Sequence, residues 1–312
     1  MSTIGFDTSN YTTSTAWTDG KTDINVRQIL YVKDGERGIR QSDGVFQHMK
    51  LMPVMYEKLS EQIDFKDVKA VGVSTRPRCV EGSYMPVFLA GEGYSKVVAD
   101  TLGVPLYEFS HQDGHIMAGI YSNGSFELLE NDFISVHLSG GTTEILKSRY
   151  NGFNFDNEII GGSKDISAGQ FIDRVGVKMG LHFPAGKALE QLALKAEKSE
   201  KLPTAVDGAY MNFSGVETKA SRMAESEKCD KSALALGVLE NVRDTLVKTI
   251  NKAMTDTNTH RVLIVGGVAS NGIIRNGLTK KLDGDVYFAK AEYSTDNAVG
   301  TAYLAHLAHK EA

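Results

Sequence analysis

The sequence predicts an α/β fold assembled from two similar halves. Apolar strand-like runs alternate with amphipathic helical stretches, the pattern of mixed sheets covered by helices. Near the N-terminus, TIGFDTSNYTTSTAWTD reads as a strand, a turn rich in Thr, Ser and Asn, and a second strand. From Phe133, FISVHLSGGTTEILKSR repeats that pattern around a Ser-Gly-Gly-Thr-Thr turn. Two such hairpins about 130 residues apart point to a duplicated architecture.

Between the hairpins, KAVGVSTRP, from Lys69, is a short buried strand, and GEGYSKVVADTLGVPLYEFS is a helix followed by a strand. Helices dominate after the second hairpin. ISAGQFIDRVGVKMGL places Phe171, Ile172, Val175 and Met179 at helical spacing. KALEQLALKAEKSE and SALALGVLENVRDTLVKTINKAMTDT predict two further helices. RVLIVGGVASNGIIRNGLTKKL reads as strand, glycine turn and helix, and DNAVGTAYLAHLAHK as a C-terminal helix opened by Asp296.

The 312 residues are 41% hydrophobic and 23% charged, enough for one large domain or two lobes. A net charge of −5 excludes a chain-wide basic field, so nucleic acid would need a local basic patch or a partner protein. Two distant cysteines, Cys79 and Cys229, suggest reduced thiols. The N-terminus lacks a basic segment followed by an apolar stretch, and no apolar run approaches the roughly 18 residues of a membrane span. A cytoplasmic protein with no membrane partner is expected.

Two glycine turns could receive a ligand. Ser139, Gly140, Gly141, Thr142 and Thr143 leave a strand with unhindered backbone N–H groups, suited to a phosphate or carboxylate, or form only a turn. Val265–Asn271 follows an apolar strand and opens a helix, so its amides and the helix dipole could face an anion or nucleoside. Alternatively it is a tight turn with Ser270 or Asn271 as helix cap. It lacks the G-x-G-x-x-G dinucleotide fingerprint. Asp173, beside an apolar helix stripe, is either a ribose-hydroxyl acceptor or a partner of Arg174 or Lys178.

In SHQDGHIMA, His111 and His115 stand four apart, so both imidazoles could meet one cation from one helix face. Imidazole favours Zn or Fe over Mg, and two ligands are too few. Asp296, in STDNA, is a candidate third ligand. The competing reading makes it a helix cap and the histidines a polar surface pair.

In this order, the landmarks GFDTS, SHQDGHIMA, LSGGTTE, DISAGQFIDR, FPAGKALE, NFSGVETK, VGGVASN and STDNAVGTAYLA resemble the tRNA threonylcarbamoyladenosine transferase family, long labelled O-sialoglycoprotein endopeptidases or M22 glycoproteases. The resemblance implies an actin/sugar-kinase/Hsp70-like fold of two lobes around a nucleotide cleft. We expect an N-terminal lobe of 1–106 plus 297–312 and a C-terminal lobe of 107–296 carrying the metal and nucleotide positions. The positions matching the family's metal ligands are His111, His115 and Asp296. Those matching its nucleotide site are His137, Leu138, Ser139, Gly140, Gly141, Asp173, Gly186 and Asn271.

The implied reaction is metal-dependent transfer of a threonylcarbamoyl group from threonylcarbamoyl-AMP to the exocyclic amine of the adenosine beside the tRNA anticodon. One divalent Fe or Zn and an ATP, AMP or threonylcarbamoyl-AMP ligand are implied. So are tRNA, a same-fold non-catalytic partner, an adenylate-forming enzyme and a small ATPase. No catalytic residue is assigned beyond the metal ligands. Proteolysis is not expected, because the HxxxH lacks the HExxH glutamate that serves zinc proteases as base.

The sequence departs from that family in its N-terminal part. Where the family reads ETSCDET this chain reads DTSNYTT, so Asn10, Tyr11 and Thr12 replace a cysteine and two carboxylates. Arg76 and Arg78 replace small residues, IRQSDGV replaces a family segment before His48, and Thr142 replaces a histidine. Arg76, Arg78, Arg37, Arg40 and Lys33 could form a basic patch for tRNA, or a solvated surface. The departures keep two alternatives in view: a nucleotide-binding regulatory paralogue, and a carbamoyl transferase with a small-molecule acceptor.

Overall fold

β1 (Ser2–Asp7) is buried at every position, as a strand covered on both faces should be. It lies at the centre of the first sheet in the computed structural model, which describes residues 1–9, 11–32 and 39–311. β2 (Thr12–Thr18) and β3 (Asp23–Ile29) extend it as an antiparallel meander. α1 (Gln41–Ser60) follows, then β4 (Val68–Arg76), α2 (Phe88–Leu102), β5 (Leu106–Ser110) and α3 (His111–Asn123). β4 pairs parallel with β1 and β5 parallel with β4, so the strand order is β3-β2-β1-β4-β5. Ile4, Phe6, Val71 and Val73 form the core with Met52 and Leu59 of α1 and Ala99 of α2.

The second sheet repeats this plan. β6 (Phe133–Leu138), β7 (Thr143–Tyr150) and β8 (Phe155–Ser163) make the meander. α4 (Ala168–Lys178), α5 (Gly186–Ala193), β9 (Ala205–Asp207), β10 (Tyr210–Asn212), α6 (Ser214–Ala224) and α7 (Lys231–Thr257) come next. Then β11 (Arg261–Val265), α8 (Gly272–Lys281) and β12 (Asp285–Phe288) complete it. The order is β12-β11-β6-β7-β8-β10-β9, with β11 parallel to β6 and β12 parallel to β11. Both sheets therefore hold a three-strand meander whose first strand carries two parallel strands on its other side, which is the predicted duplication. Ile134, Val136 and Leu138 pack with Phe171, Val175, Leu246 and Ile264 in the second core.

α9 (Val299–Glu311) returns to the first unit. It approaches the sheet at the registered pair Gly5 and Gly72, where a Cβ would meet the Ala298 and Thr301 carbonyls at 2.5 and 2.6 Å. It also crosses α3 where Gly300 lies against the Gly114 carbonyl.

The compact units are Met1–Glu127 with Tyr150–Asp156 and Glu292–Ala312, and Leu128–Arg149 with Asn157–Ala291. This division departs from the expected boundary at 106/107. α3 cannot separate from β5 and α9, because glycine-to-backbone contact with α9 ties it to the first unit. His111, His115 and Asp296 therefore belong to the first unit, and the glycine turns to the second.

Two helix expectations also change. α5 stops at Ala193, well short of the predicted KALEQLALKAEKSE helix. The following chain runs against α7 instead: Glu200 N donates to the Ala233 carbonyl at 3.1 Å, and the Glu200 carbonyl fills the space beside Gly237. α9 begins at Val299, capped by Asn297, whose Oδ1 accepts the Val299 N–H at 3.0 Å. Asp296 is thereby released from the capping role the sequence suggested.

A candidate metal centre and a glycine turn

β5 ends at Ser110, which caps α3. Its hydroxyl accepts the Asp113 N–H, and the Asp113 carboxylate accepts the Ser110 N–H, both at 3.1 Å. Asp113, between the two histidines, is thus a structural residue of the helix start. The cap places His111 in the first turn and His115 one turn later, with ring centroids 4.3 Å apart.

Asp296 reaches this pair from the loop before α9. Its Oδ1 lies 3.6 Å from His111 Nε2 and 3.4 Å from His115 Nε2. Two ligands each about 2 Å from a tetrahedral ion are about 3.3 Å apart, close to the spacing of Asp296 Oδ1 from each imidazole, and one ligand atom from each of the three residues lies within 4.8 Å of the others. Among the described residues, this is the one such cluster of His, Cys, Asp or Glu. Asn297 Nδ2 holds the loop by donating to the Tyr293 and Thr295 carbonyls, and Arg27 donates to the Thr295 hydroxyl and the Asp296 carbonyl.

Behind His111 stands Asp7, at the end of β1 and 1% exposed. Its Oδ2 accepts from the Ser74 hydroxyl at 2.9 Å and lies 2.7 Å from His111 Nδ1; its Oδ1 accepts the Ser9 N–H at 2.7 Å. Burial alone would discharge His111, but Asp7 and Asp296 outweigh it and raise the imidazole pKa to about 10. Burial likewise opposes charge on Asp7 and Asp296, and the histidines beside them pull both carboxyls below their usual range. The sequence flagged GFDTS but gave Asp7 no role, because nothing in local spacing links it to a histidine 104 residues away.

The second unit holds the expected nucleotide positions. Ser139 N donates to the Thr142 carbonyl and Thr142 N to the Ser139 hydroxyl, closing the turn. Gly140 and Gly141 are exposed, and nothing stands near the place of a side chain on either. The turn is moored to the start of α4: the Ser167 hydroxyl donates to the Gly140 carbonyl at 2.7 Å, and Ala168 N to the Thr143 hydroxyl at 2.9 Å. His137 is half-buried and sits opposite Glu144. Leu138 is fully buried in the core, so only its main chain is left for a ligand.

Asp173 lies in α4 and accepts the Ala185 N–H at 2.8 Å, with a further bond from Gly186, so it fixes the start of α5. Its suggested partner Lys178 instead pairs with Glu225 at 2.7 Å. Asn271 caps α8 through Ile274 N at 3.1 Å, and Glu190 of α5 accepts Gly272 N at 2.6 Å. The amides of Gly272 and Ile274 are therefore met by protein oxygens, and Asn271 takes the capping role that was the alternative reading of this turn. Glu190 was not singled out in the sequence. It joins α5 to α8, and so connects Asp173, Gly186 and Asn271 into one framework.

In the first hairpin turn, the Tyr11 carbonyl accepts Leu30 N at 2.7 Å, and the Thr13 hydroxyl lies 2.8 Å from His48 Nδ1. Asn10, Lys33 and Arg37 lie outside the described residues. Arg76 donates to the Thr75 hydroxyl and Cys79 Sγ. No helix among the described residues is long and apolar enough to cross a membrane.

The profile of the family described as tRNA N6-adenosine threonylcarbamoyltransferase matches residues 37–303. A protein of that name from a strain of Thermus thermophilus is 30% identical over 322 residues, covering 99% of this chain and 94% of its own. Full-length HypF, solved in a phosphate- and nucleotide-bound form, has a TM-score of 0.62 at 16% identity; this chain is 99% covered but spans 46% of HypF. A ROK family glucokinase from Streptomyces griseus, solved with glucose and AMPPNP, has a TM-score of 0.54 at 13% identity, covering 99% and 100%. These likenesses place the fold in the actin/sugar-kinase/Hsp70 class.

Proposed function

Because the chain belongs to the tRNA N6-adenosine threonylcarbamoyltransferase family, whose members are transferases that modify tRNA, we propose that it passes a threonylcarbamoyl group from threonylcarbamoyl-AMP to the exocyclic amine of the adenosine beside the anticodon. The observation that carries this reading is the cluster of His111, His115 and Asp296; three protein ligands would leave a tetrahedral ion one position for substrate. Fe or Zn held there supplies Lewis-acid polarisation of the acyl carbonyl.

The chain's own residues do the rest. The main-chain amides of Gly140 and Gly141 suit the adenylate phosphate, and the absence of side chains there lets it come close. Asp173, Gly186 and Asn271, linked through Glu190, frame the nucleoside. As the adenosine amine bonds to the carbamoyl carbon, that carbon's bond to the phosphate oxygen breaks, AMP leaves with the electron pair, and the amine loses one proton. Partners of the kind the resemblance implies, tRNA and a same-fold protein with a small ATPase, and a cytoplasmic location complete the reading.

A second reading, a nucleotide-binding regulator without transfer chemistry, is favoured by one observation. Tyr11 and Thr12 stand where the resembled family carries carboxylates. Metal content and transfer by purified protein, compared between wild type and His115→Ala, test both readings. We expect about one Fe or Zn per wild-type chain and modified tRNA in a reconstituted reaction, with both lost in the variant. Bound metal and nucleotide without tRNA product would leave the regulator. No metal in the wild type would end the metal-dependent reading.

A further inference from the structure

We infer that Asp7 is the positioning residue of the metal centre: it selects the ring nitrogen that His111 offers to the cation. The inference rests on the metal reading above. An ionised carboxylate only accepts hydrogen bonds, so at 2.7 Å from Asp7 Oδ2 the His111 Nδ1 must carry the proton. When a cation displaces the other ring proton, the lone pair is left on Nε2, the atom that faces Asp296 Oδ1 beside His115 Nε2. A histidine of the opposite tautomer would turn an N–H toward the cation and could not bind it.

The surroundings hold Asp7 in this task. Its two oxygens are held separately, Oδ1 by Ser9 N and Oδ2 by the Ser74 hydroxyl, and Ser74 lies 3.1 Å from the Thr301 hydroxyl of α9. β1, β4, α3 and α9 thus meet at one buried carboxylate. Partners of this kind raise ligand basicity and orient the ring, and losing one typically costs about 10- to 100-fold in metal affinity. The carboxylate is also the one acidic side chain this chain keeps from DTSNYTT, where the resembled family has three. Asp7 sits behind the ligand ring, so its role is distinct from any contact with substrate.

Asp7→Asn is the decisive variant. Its shape is preserved and Ser9 N can still be met, but the amide nitrogen would face His111 Nδ1 and favour the wrong tautomer. Competition with a chelator for Zn(II), and the visible spectrum of the Co(II) form, should show at least about tenfold weaker binding. The metal-free melting temperature separates this from a structural role. A structural residue lowers melting and leaves the affinity of the folded fraction unchanged. Equal Zn(II) affinity in folded wild type and Asp7→Asn overturns the inference and leaves the metal reading intact. Failure of the wild type to bind metal overturns both. Should Asp7→Asn not fold, nitrogen NMR of the wild-type imidazoles in the Zn(II) form decides. A protonated Nδ1 on His111 supports the inference, and a protonated Nε2 overturns it.

Discussion

His48 shows what a single buried side chain can cost. It is fully buried in α1, with Thr13 at Nδ1, and burial lowers its pKa to about 4 against weaker opposition from Asp7 and Asp296. The unfolded chain binds a proton near pH 6.5, whereas the folded chain binds it only near pH 4. Stability therefore falls as pH drops through that window, by up to about 3 kcal/mol. The Asp7 and Asp296 carboxyls are held below their usual range, so their loss belongs at lower pH. Urea unfolding at pH 7 and pH 4.5 should show this loss in wild type and a smaller one in His48→Gln. An equal loss in both would show that the burial of His48 does not set the acid limb. Histidines four apart were legible because helix geometry is local. Whether Asp296 capped a helix or faced them was not, because Asn297, one residue on, has an equally good capping side chain and takes the role.

At the scale of elements, strands and strongly periodic helices were legible, and elements whose pattern is broken were not. α1 went unassigned. Gly44 and Pro53 interrupt its pattern, and Arg40 at its start offers no side-chain cap. Pro53 has no N–H to give the Met49 carbonyl four residues earlier. The structure supplies a substitute from another helix: the Tyr94 hydroxyl of α2 donates to Met49 O at 2.9 Å. Tyr94→Phe should therefore destabilise the protein by about 0.5–1.5 kcal/mol and be rescued by Pro53→Ala, which restores a helical donor. Independent, additive effects of the two substitutions in a double-mutant cycle would disprove the coupling. α5 was overread for the opposite reason. KALEQLALKAEKSE has good helical composition throughout, but the contact of Glu200 with α7 pulls its second half away, and tertiary bonding outweighs propensity of a few tenths of a kcal/mol per residue.

For the whole molecule, the duplication was legible because each unit repeats the same hairpin, and the two strand orders bear it out. The unit boundary was misplaced because a contact between backbones leaves little trace in sequence beyond a glycine. Gly300 is that trace. A Cβ there would press on the Gly114 carbonyl and come within 2.7 Å of Ala118 N, so the α3–α9 crossing exists only without a side chain. α3 carries His111 and His115, and Asp296 lies just before α9, so one packing contact sets both the assembly of the first unit and the spacing of the three proposed metal ligands. Gly300→Ala should lower stability by about 1–3 kcal/mol through overpacking and also weaken Zn(II) binding, because the helices must part. Gly93→Ala provides the contrast. Gly93 is exposed in α2 with nothing near its missing Cβ, so the same substitution should be neutral or stabilise by up to about 1 kcal/mol and leave metal affinity alone. A Gly300→Ala protein that melts lower yet binds Zn(II) as tightly as wild type would show that the centre tolerates movement of its own scaffold. In that case the ligand geometry would be set by the Asn297 and Arg27 bonds to the Asp296 loop, and not by the helix crossing beneath it.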